Sequence, residues 1–130
     1  MRKVVVAAAV LVVLGALAGG FYLIGPPADQ RARRLDAHRE GDLQRLQLAT
    51  DLYWTRNNRL PASLDDLASE AGTGIYRDPE NSEPYEYRVT APARYELCAT
   101  FANASDGRHD FWSHGSGHRC FAITAKAIRP

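Results

Sequence analysis

The sequence predicts an α+β fold: an N-terminal transmembrane helix, a helical extension, a short helix and a small antiparallel β-sheet. Three observations support it. Residues 4–24 are all apolar or glycine, apolar side chains recur at helical spacing from 35 to 53, and apolar and polar side chains alternate over 85–89 and 94–101. Periods near 3.6 and 2 residues distinguish helix from strand. The predicted divisions are an anchor over 1–25, a helical extension or stalk over 26–58 and a small α+β domain over 59–130.

The first element, residues 4–24, is long enough to be a membrane anchor. At about 1.5 Å per residue, a helix over this run spans about 30 Å, the thickness of a bilayer's hydrocarbon core. Phe21 and Tyr22 near its end suit the membrane interface, where aromatic side chains are common. The sequence therefore predicts that the lipid bilayer is a partner of this chain.

A cleaved signal peptide is the alternative interpretation of the same run. Arg2 and Lys3 provide a basic start, and the small residues Ala16 and Ala18 precede an acceptable cleavage point at Gly19. We favour the anchor because the apolar run continues past this point, whereas the apolar region of a signal peptide is usually shorter.

Charge near the anchor does not decide its orientation, because basic residues lie on both sides of it. The two cysteines, Cys98 and Cys120, lie in segments that are predicted to be strands. A small, even number of cysteines fits one disulfide in an oxidising compartment, although two free buried thiols remain the alternative. A disulfide favours a cytoplasmic N-terminus and a C-terminal domain on the periplasmic side of the inner membrane.

The overall charge excludes a nucleic-acid-binding domain of the basic type. The chain has 16 Lys and Arg against 15 Asp and Glu. Two of the basic residues, Arg2 and Lys3, precede the anchor, so 14 basic and 15 acidic residues follow it. No basic excess is present, and no nucleic-acid partner is predicted.

The second helix is predicted from about Asp29, a plausible N-cap, to Asn57. Because few apolar residues precede Leu43, we expect that half to be a solvated stalk and the later half to pack on the domain. After Pro61, Ser63 and Asp66 have the spacing of a capping box, which predicts a short helix that Gly72 and Gly74 end.

The last third of the chain is predicted to form an antiparallel meander. Alternating patterns predict strands at 85–89 and 94–101, and two further candidates lie at 111–112 and 119–124. Asp106-Gly107 and the glycines at 115 and 117 are turn signals between them.

The order of these segments resembles type IV pilin-like proteins, in particular the pseudopilins of type II secretion. The matching residues are Leu60, Pro61, Leu64, Leu67, Asp78, Pro79, Pro84, Tyr85 and Tyr87. The resemblance implies a pilin-like fold and assembly with other envelope proteins. The chain departs from the family at the prepilin processing site, a Gly-Phe-Thr-Leu-x-Glu-like motif that comes before the apolar helix. No such motif is found before Val4. The partial match that starts at Gly20 lies at the end of the apolar run, and Gly25 stands where the glutamate would be.

The densest set of reactive side chains lies between residues 109 and 120. His114, His118 and Cys120 are weak candidates for zinc ligands, because their spacing is not that of a standard finger and Cys98 is a competing partner for Cys120. His109 belongs to the same set. A hydrolase that uses these histidines is the weakest hypothesis, since no nucleophile, phosphate-loop or metalloprotease motif is present in the sequence.

These observations favour a non-enzymatic, single-pass inner-membrane protein that acts by protein–protein interaction in the cell envelope. Its partner is an envelope protein or a second copy of the chain. No catalytic residue and no cofactor is predicted. The alternative is a soluble periplasmic binding or metal-handling domain that signal peptidase releases.

Overall fold

The computed structural model describes residues 1–68, 77–107 and 110–128. The chain forms helices α1 (Arg2–Ile24) and α2 (Pro27–Asn57), a 3₁₀ helix (Leu64–Leu67), and strands β1 (Glu86–Ala91), β2 (Arg94–Phe101) and β3 (Gly117–Thr124). Its contacts define two compact units, Met1–Ala32 and Arg33–Pro130. The predicted α+β class is confirmed.

Helix α1 is apolar on all sides. It contains 23 residues, none of which is buried, and it is therefore about 34 Å long. The helix is long and apolar enough to cross a membrane. It ends at Gly25, whose positive φ of 76° suits a residue without a side chain and whose N–H donates to the carbonyl of Phe21.

Helix α2 begins at Pro27, two residues before the predicted cap at Asp29. Proline is favoured in the first turn because its missing N–H has no helical acceptor there, and Asp29 then lies where the helix dipole favours a negative charge. The helix ends at Asn57, as predicted.

The expectation that the part of α2 before Leu43 is solvated is wrong for Asp36 and Arg39. Both side chains are buried, and so is that of Asp42. The prediction depended on the scarcity of apolar residues in this stretch. The helix packs here through ion pairs between charged side chains instead.

The 3₁₀ helix starts as the capping pattern predicted. The Asp66 carboxylate accepts hydrogen bonds from the backbone N–H groups of Ala62 (2.9 Å) and Ser63 (3.1 Å). Leu64 and Leu67 are buried against the core, as expected from their spacing.

The three strands form one antiparallel sheet in the order β1-β2-β3. In its register, Tyr87 pairs with Leu97, Leu97 with Phe121, and Cys98 with Cys120. Alternate residues of β2 therefore face the core, and Cys98 belongs to the opposite, outer face. Strand β2 is central, and β1 and β3 are the edges of the described sheet.

The candidate strand at 111–112 is wrong, because these residues form a turn. The Asp110 carboxylate accepts the N–H of Trp112 at 3.1 Å, and its carbonyl accepts the N–H of Ser113. The turn places the ring of Trp112 4.9 Å from that of Phe121 and the ring of Phe111 6.0 Å from it. Packing against β3 explains why two adjacent aromatic residues occur here without a strand.

The core lies between α2, the 3₁₀ helix and the inner face of the sheet. Its buried members are Leu43, Leu46, Ala49, Leu64, Leu67, Tyr85, Tyr95, Leu97, Ala99, Phe101, Phe121, Ile123 and Ala125. After β3 the chain returns to α2, where Lys126 donates its N–H to the Asp51 carboxylate and Ile128 donates to the Thr55 hydroxyl, each at 2.9 Å.

Candidate functional site

A cleft of about 370 Å³ opens where α2, the loop of residues 78–85 and the sheet meet. We call it the disulfide cleft. It is lined by Arg39, Asp78, Glu80, Asn81, Glu83, Pro84, Tyr85, Glu86, Cys98, Ala99, Thr100 and His118. One side carries a buried cluster of charges, and the other is the outer face of the sheet around the disulfide.

Arg39 is the centre of the charge cluster. Its side chain is 6% exposed and reaches the Asp78 carboxylate with two nitrogens, Nε at 2.6 Å and an Nη at 3.1 Å. It also donates to Asp36 at 3.1 Å and to Glu80 at 2.6 Å. This guanidinium joins helix α2 to the 78–85 loop, because a planar fork matches a carboxylate at two points.

The 78–85 loop is shaped around Asp78. Its carboxylate accepts the N–H of Glu80 at 2.9 Å. Its own N–H donates to the carbonyl of Glu83, and its carbonyl accepts the N–H of Ser82. Burial by itself would raise the pKa of Asp78, but the hydrogen bonds from Arg39 and Glu80 hold that pKa below its usual value. The loop therefore presents an ionised carboxylate to α2.

Two aspartates of helix α2, Asp36 and Asp42, accept hydrogen bonds from other parts of the domain. Burial alone would raise the pKa of Asp36, but hydrogen bonds from the N–H groups of Ala102 and Asn103, at 2.9 and 2.8 Å, hold it below its usual value. Asp42 accepts the hydroxyl of Tyr85 at 2.9 Å. Burial and this carboxylate raise the pKa of Tyr85, so the phenol stays protonated as the donor.

These shifts predict that acid weakens the domain. Because the pKa values of Asp36 and Asp78 are lower in the folded state than in the unfolded state, where they are about 3.9, their contribution is present above about pH 4 and lost as the pH falls through the folded values. Burial of Asp51 raises its pKa and acts in the opposite direction. We expect the free energy of unfolding, measured with urea at a series of pH values, to fall below about pH 4.

The matched control for this pH series is Asp78→Asn. The variant should be less stable at neutral pH, and its stability should vary less steeply with pH between about 4 and 2, because one of the carboxyl groups whose pKa is lowered by folding is absent. Equal slopes in the wild type and the variant would contradict the assignment.

The outer face of the sheet carries the disulfide. Cys98 and Cys120 are directly paired across β2 and β3, with their Cα atoms 4.0 Å apart, and the predicted disulfide between them is present. Nε2 of His118 lies 3.0 Å from a carboxylate oxygen of Glu86. Arg88 donates to the same carboxylate at 2.8 Å, and the hydrogen bonds from Arg88 and His118 lower the pKa of Glu86.

The structure brings two of the three weak zinc candidates, His118 and Cys120, together and leaves His114 apart. Within residues 1–68, 77–107 and 110–128, one set of three His, Cys, Asp or Glu residues has ligand atoms within 4.8 Å of one another, and it contains Cys98, His118 and Cys120. His114 is not a member; its ring stacks on Phe101 at 3.6 Å. Both sulfurs of the set are in the disulfide, so neither is a thiolate, the form that binds zinc.

The histidines of the weakest hypothesis do not converge in the part of the chain that the structure describes. His114 lines a smaller cleft beside Asn103 and Ser105, and His118 lines the disulfide cleft. His109 lies outside the described residues.

Two functional features were missed by the sequence analysis. Arg39 lies in a run of charged residues that resembles a solvated helix face, and its partner Asp78 is 39 residues away. Glu86 is one polar residue of an alternating strand, and this pattern does not indicate that its carboxylate binds His118. One signal in the sequence could have indicated the ion pair between Arg39 and Asp78. Asp78 is among the residues that resemble the pseudopilin pattern, and no basic partner had been proposed for its carboxylate.

The residues that carry the resemblance to pseudopilins hold the 78–87 segment against the helices. Asp78 binds Arg39, Tyr85 binds Asp42, and the hydroxyl of Tyr87 donates to the carbonyl of Pro61 at 2.9 Å. In comparisons with protein-family models, curated proteins and solved structures, none matches the chain. The resemblance stays a prediction.

Proposed function

We propose that the chain is a single-pass protein of the inner membrane whose pilin-like C-terminal domain lies in the periplasm. It acts by protein–protein interaction in the cell envelope, within or beside a secretion or pilus-like assembly. The observation that carries the proposal is helix α1, which has 23 residues, no charge between Val4 and Ile24, and no buried side chain.

The exposed apolar surface of α1 supports the membrane location. Val12, Leu11 and Phe21 are each about 70% exposed, and burying a large apolar side chain is worth about 1.5–3 kcal/mol. A helix with such side chains on every face is stable in lipid, whereas in water its whole surface is unfavourably hydrated.

The disulfide supports the periplasmic side. The Cys98–Cys120 bond links two strands of the second unit, Arg33–Pro130. Disulfides persist in the bacterial periplasm and are rare in the cytosol. A helix that anchors the chain at its N-terminal end and a disulfide-linked domain together favour a cytoplasmic N-terminus.

Protein–protein interaction is supported by apolar side chains that the domain leaves exposed. Leu48 on α2 is 55% exposed, Val89 on β1 44% and Phe111 54%. The edges of the sheet, β1 and β3, also leave backbone groups that are not paired within the described sheet, and such edges suit the addition of a strand.

The first experiment tests location and processing. The full chain is expressed with alkaline phosphatase, which is active only in the periplasm, fused to its C-terminus, and membranes are washed with carbonate. We expect an active fusion in the membrane pellet and an intact N-terminus by mass spectrometry. Ala18→Leu, which removes the small residue before Gly19, is the matched control and should leave the mass of the product otherwise unchanged.

Recovery in the wash, with an N-terminus near Gly19 in the wild type but not in Ala18→Leu, would overturn the anchor. That result would favour the alternative, a domain released by signal peptidase. An inactive phosphatase in an otherwise membrane-bound fusion would reverse the proposed orientation.

The second experiment tests interaction. A photo-crosslinking amino acid replaces Leu48, Val89 or Phe111 in the full chain, and intact cells are irradiated. We expect an adduct of defined mass from at least one of these positions, identified as a second copy or as one envelope protein. Exposed Asp65 is the control position for random collision. Yields no higher than at Asp65 from all three positions would contradict the proposal.

A further inference from the structure

The two cysteines of the disulfide are unequally exposed. Cys98 lies on the central strand β2 and is 1% exposed, although it belongs to the outer face of the sheet. Cys120 lies on β3, an edge strand of the described sheet, and is exposed. The S–S bond therefore runs from a covered position outward to an open edge.

His118 and Glu86 explain why Cys98 is covered. Glu86 pairs with Cys98 from the β1 side, and His118 lies on β3, two residues before Cys120 on the same face. Because Nε2 of His118 lies 3.0 Å from the Glu86 carboxylate, the pair spans β2 beside the buried sulfur. A ring nitrogen of His118 and both sulfurs lie within 4.8 Å of one another.

We propose that Cys98–Cys120 is a site of thiol–disulfide exchange, at which the thiolate of a thiol-bearing molecule attacks Sγ of Cys120 and Cys98 is the leaving group. The inference rests on the sheet alone and does not depend on the proposed membrane function. It assigns His118 as the proton donor to Cys98.

The direction from which a nucleophile can approach determines which sulfur is attacked. In thiol–disulfide exchange the nucleophile approaches a sulfur along the extension of the S–S bond, from the side away from the other sulfur. The sulfur that is attacked is the one to which this approach is open. For Cys120 this approach comes from outside the edge strand β3. For Cys98 it comes from the β1 side, where the Glu86 carboxylate blocks and repels an incoming thiolate.

A bond forms between the incoming sulfur and Sγ of Cys120, the Cys98–Cys120 bond breaks, and its electron pair remains on Sγ of Cys98. When both ring nitrogens of His118 carry protons, the ring gives one of them to that thiolate. When the attacking molecule is a dithiol, its second thiolate attacks the first sulfur of the same dithiol in the mixed disulfide, and Cys120 leaves as a thiolate that takes a proton from water. The dithiol is thereby oxidised to a disulfide, and Cys98 and Cys120 are reduced to thiols.

The experiment uses the oxidised full chain in detergent and 2-mercaptoethanol, a neutral monothiol. The reaction is stopped with acid at low conversion, free thiols are alkylated, and the modified peptides are identified by mass spectrometry. We expect the mixed disulfide on Cys120 and the alkyl group on Cys98. Equal distribution between the two cysteines, or a mixed disulfide mainly on Cys98, would overturn the proposal without requiring any variant.

A rate measurement tests the role of His118. In His118→Gln we expect exchange to be about three- to tenfold slower, because loss of the proton donor makes Cys98 a poorer leaving group. Glu96→Gln, on the outer face two residues from Cys98, is the matched control and should react at the wild-type rate. Near-UV circular dichroism verifies that both variants are folded. A rate in His118→Gln equal to that of the control would remove His118 from the mechanism.

Discussion

Replacing Arg39 with methionine is expected to lower the free energy of unfolding of the domain by about 3–5 kcal/mol, the usual effect of removing one partner from a buried ion pair. Methionine is similar to arginine in side-chain length and helix propensity, so the substitution does not by itself destabilise the helical backbone of α2. What remains is a pair of buried carboxylates, Asp36 and Asp78, which have lost their guanidinium partner. The measurement is denaturant unfolding of the full chain in detergent, followed by tryptophan fluorescence.

Fluorescence reports on the domain because Trp54 and Trp112 both pack against its core. The matched control is Arg33→Met on the same helix. Arg33 pairs with Asp106 at 2.7 Å, but the two side chains are 52% and 81% exposed, so the loss should be below about 1 kcal/mol. Equal losses in the two variants would show that the Arg39 cluster contributes no more than a surface pair.

Removing the disulfide is expected to lower the free energy of unfolding by about 3 kcal/mol, from the loop-closure entropy that a bridge between residues 22 positions apart removes from the unfolded chain. The variant is Cys98→Ala with Cys120→Ala, so that no free thiol is left to form intermolecular bridges. The same fluorescence measurement applies, since neither tryptophan is adjacent to the bond.

Reduction of the wild type provides an independent comparison for this loss. The reduced wild type and the double alanine variant should unfold at about the same denaturant concentration, because both lack the same constraint. A double variant as stable as the oxidised wild type would show that the packing of the sheet alone holds the two strands in register.

Loss of the Arg39 cluster and loss of the disulfide have different consequences for the proposed roles of the domain. The Arg39 cluster holds helix α2 against the 78–85 loop, and its loss should affect the domain whether or not the chain is in a membrane. The disulfide has two proposed roles, since a bond that stabilises the sheet also exchanges at its exposed sulfur. A large stability loss with slow exchange at both cysteines would leave only the stabilising role.

Local patterns in the sequence were enough to predict most elements. The uninterrupted apolar run predicted α1, and alternation predicted β2 over the residues that form it, 94–101. The Ser63 and Asp66 spacing predicted the short helix. Such patterns can be recognised because they repeat within one element, and each repeat reflects which face of that element meets water.

The same patterns could not predict contacts between charges that are far apart in sequence. Arg39 binds Asp78 across 39 positions and His118 binds Glu86 across 32. Nothing adjacent to either residue shows that a partner exists. An arginine in a polar stretch of helix is exposed in most proteins, so the prediction of a solvated stalk followed the usual behaviour. It was wrong at Asp36 and Arg39, which are buried.

The sequence by itself determined the apolar helix, the α+β class and the number of cysteines, because each depends on local composition and period. Only the tertiary structure decided that Asp36, Arg39 and Asp42 of α2 are buried, and that Cys98 is buried while Cys120 is exposed. The reason is physical: the burial of a charge or a sulfur depends on which groups the folded chain brings beside it. Those groups come from other strands and loops, at sequence distances that no local period records.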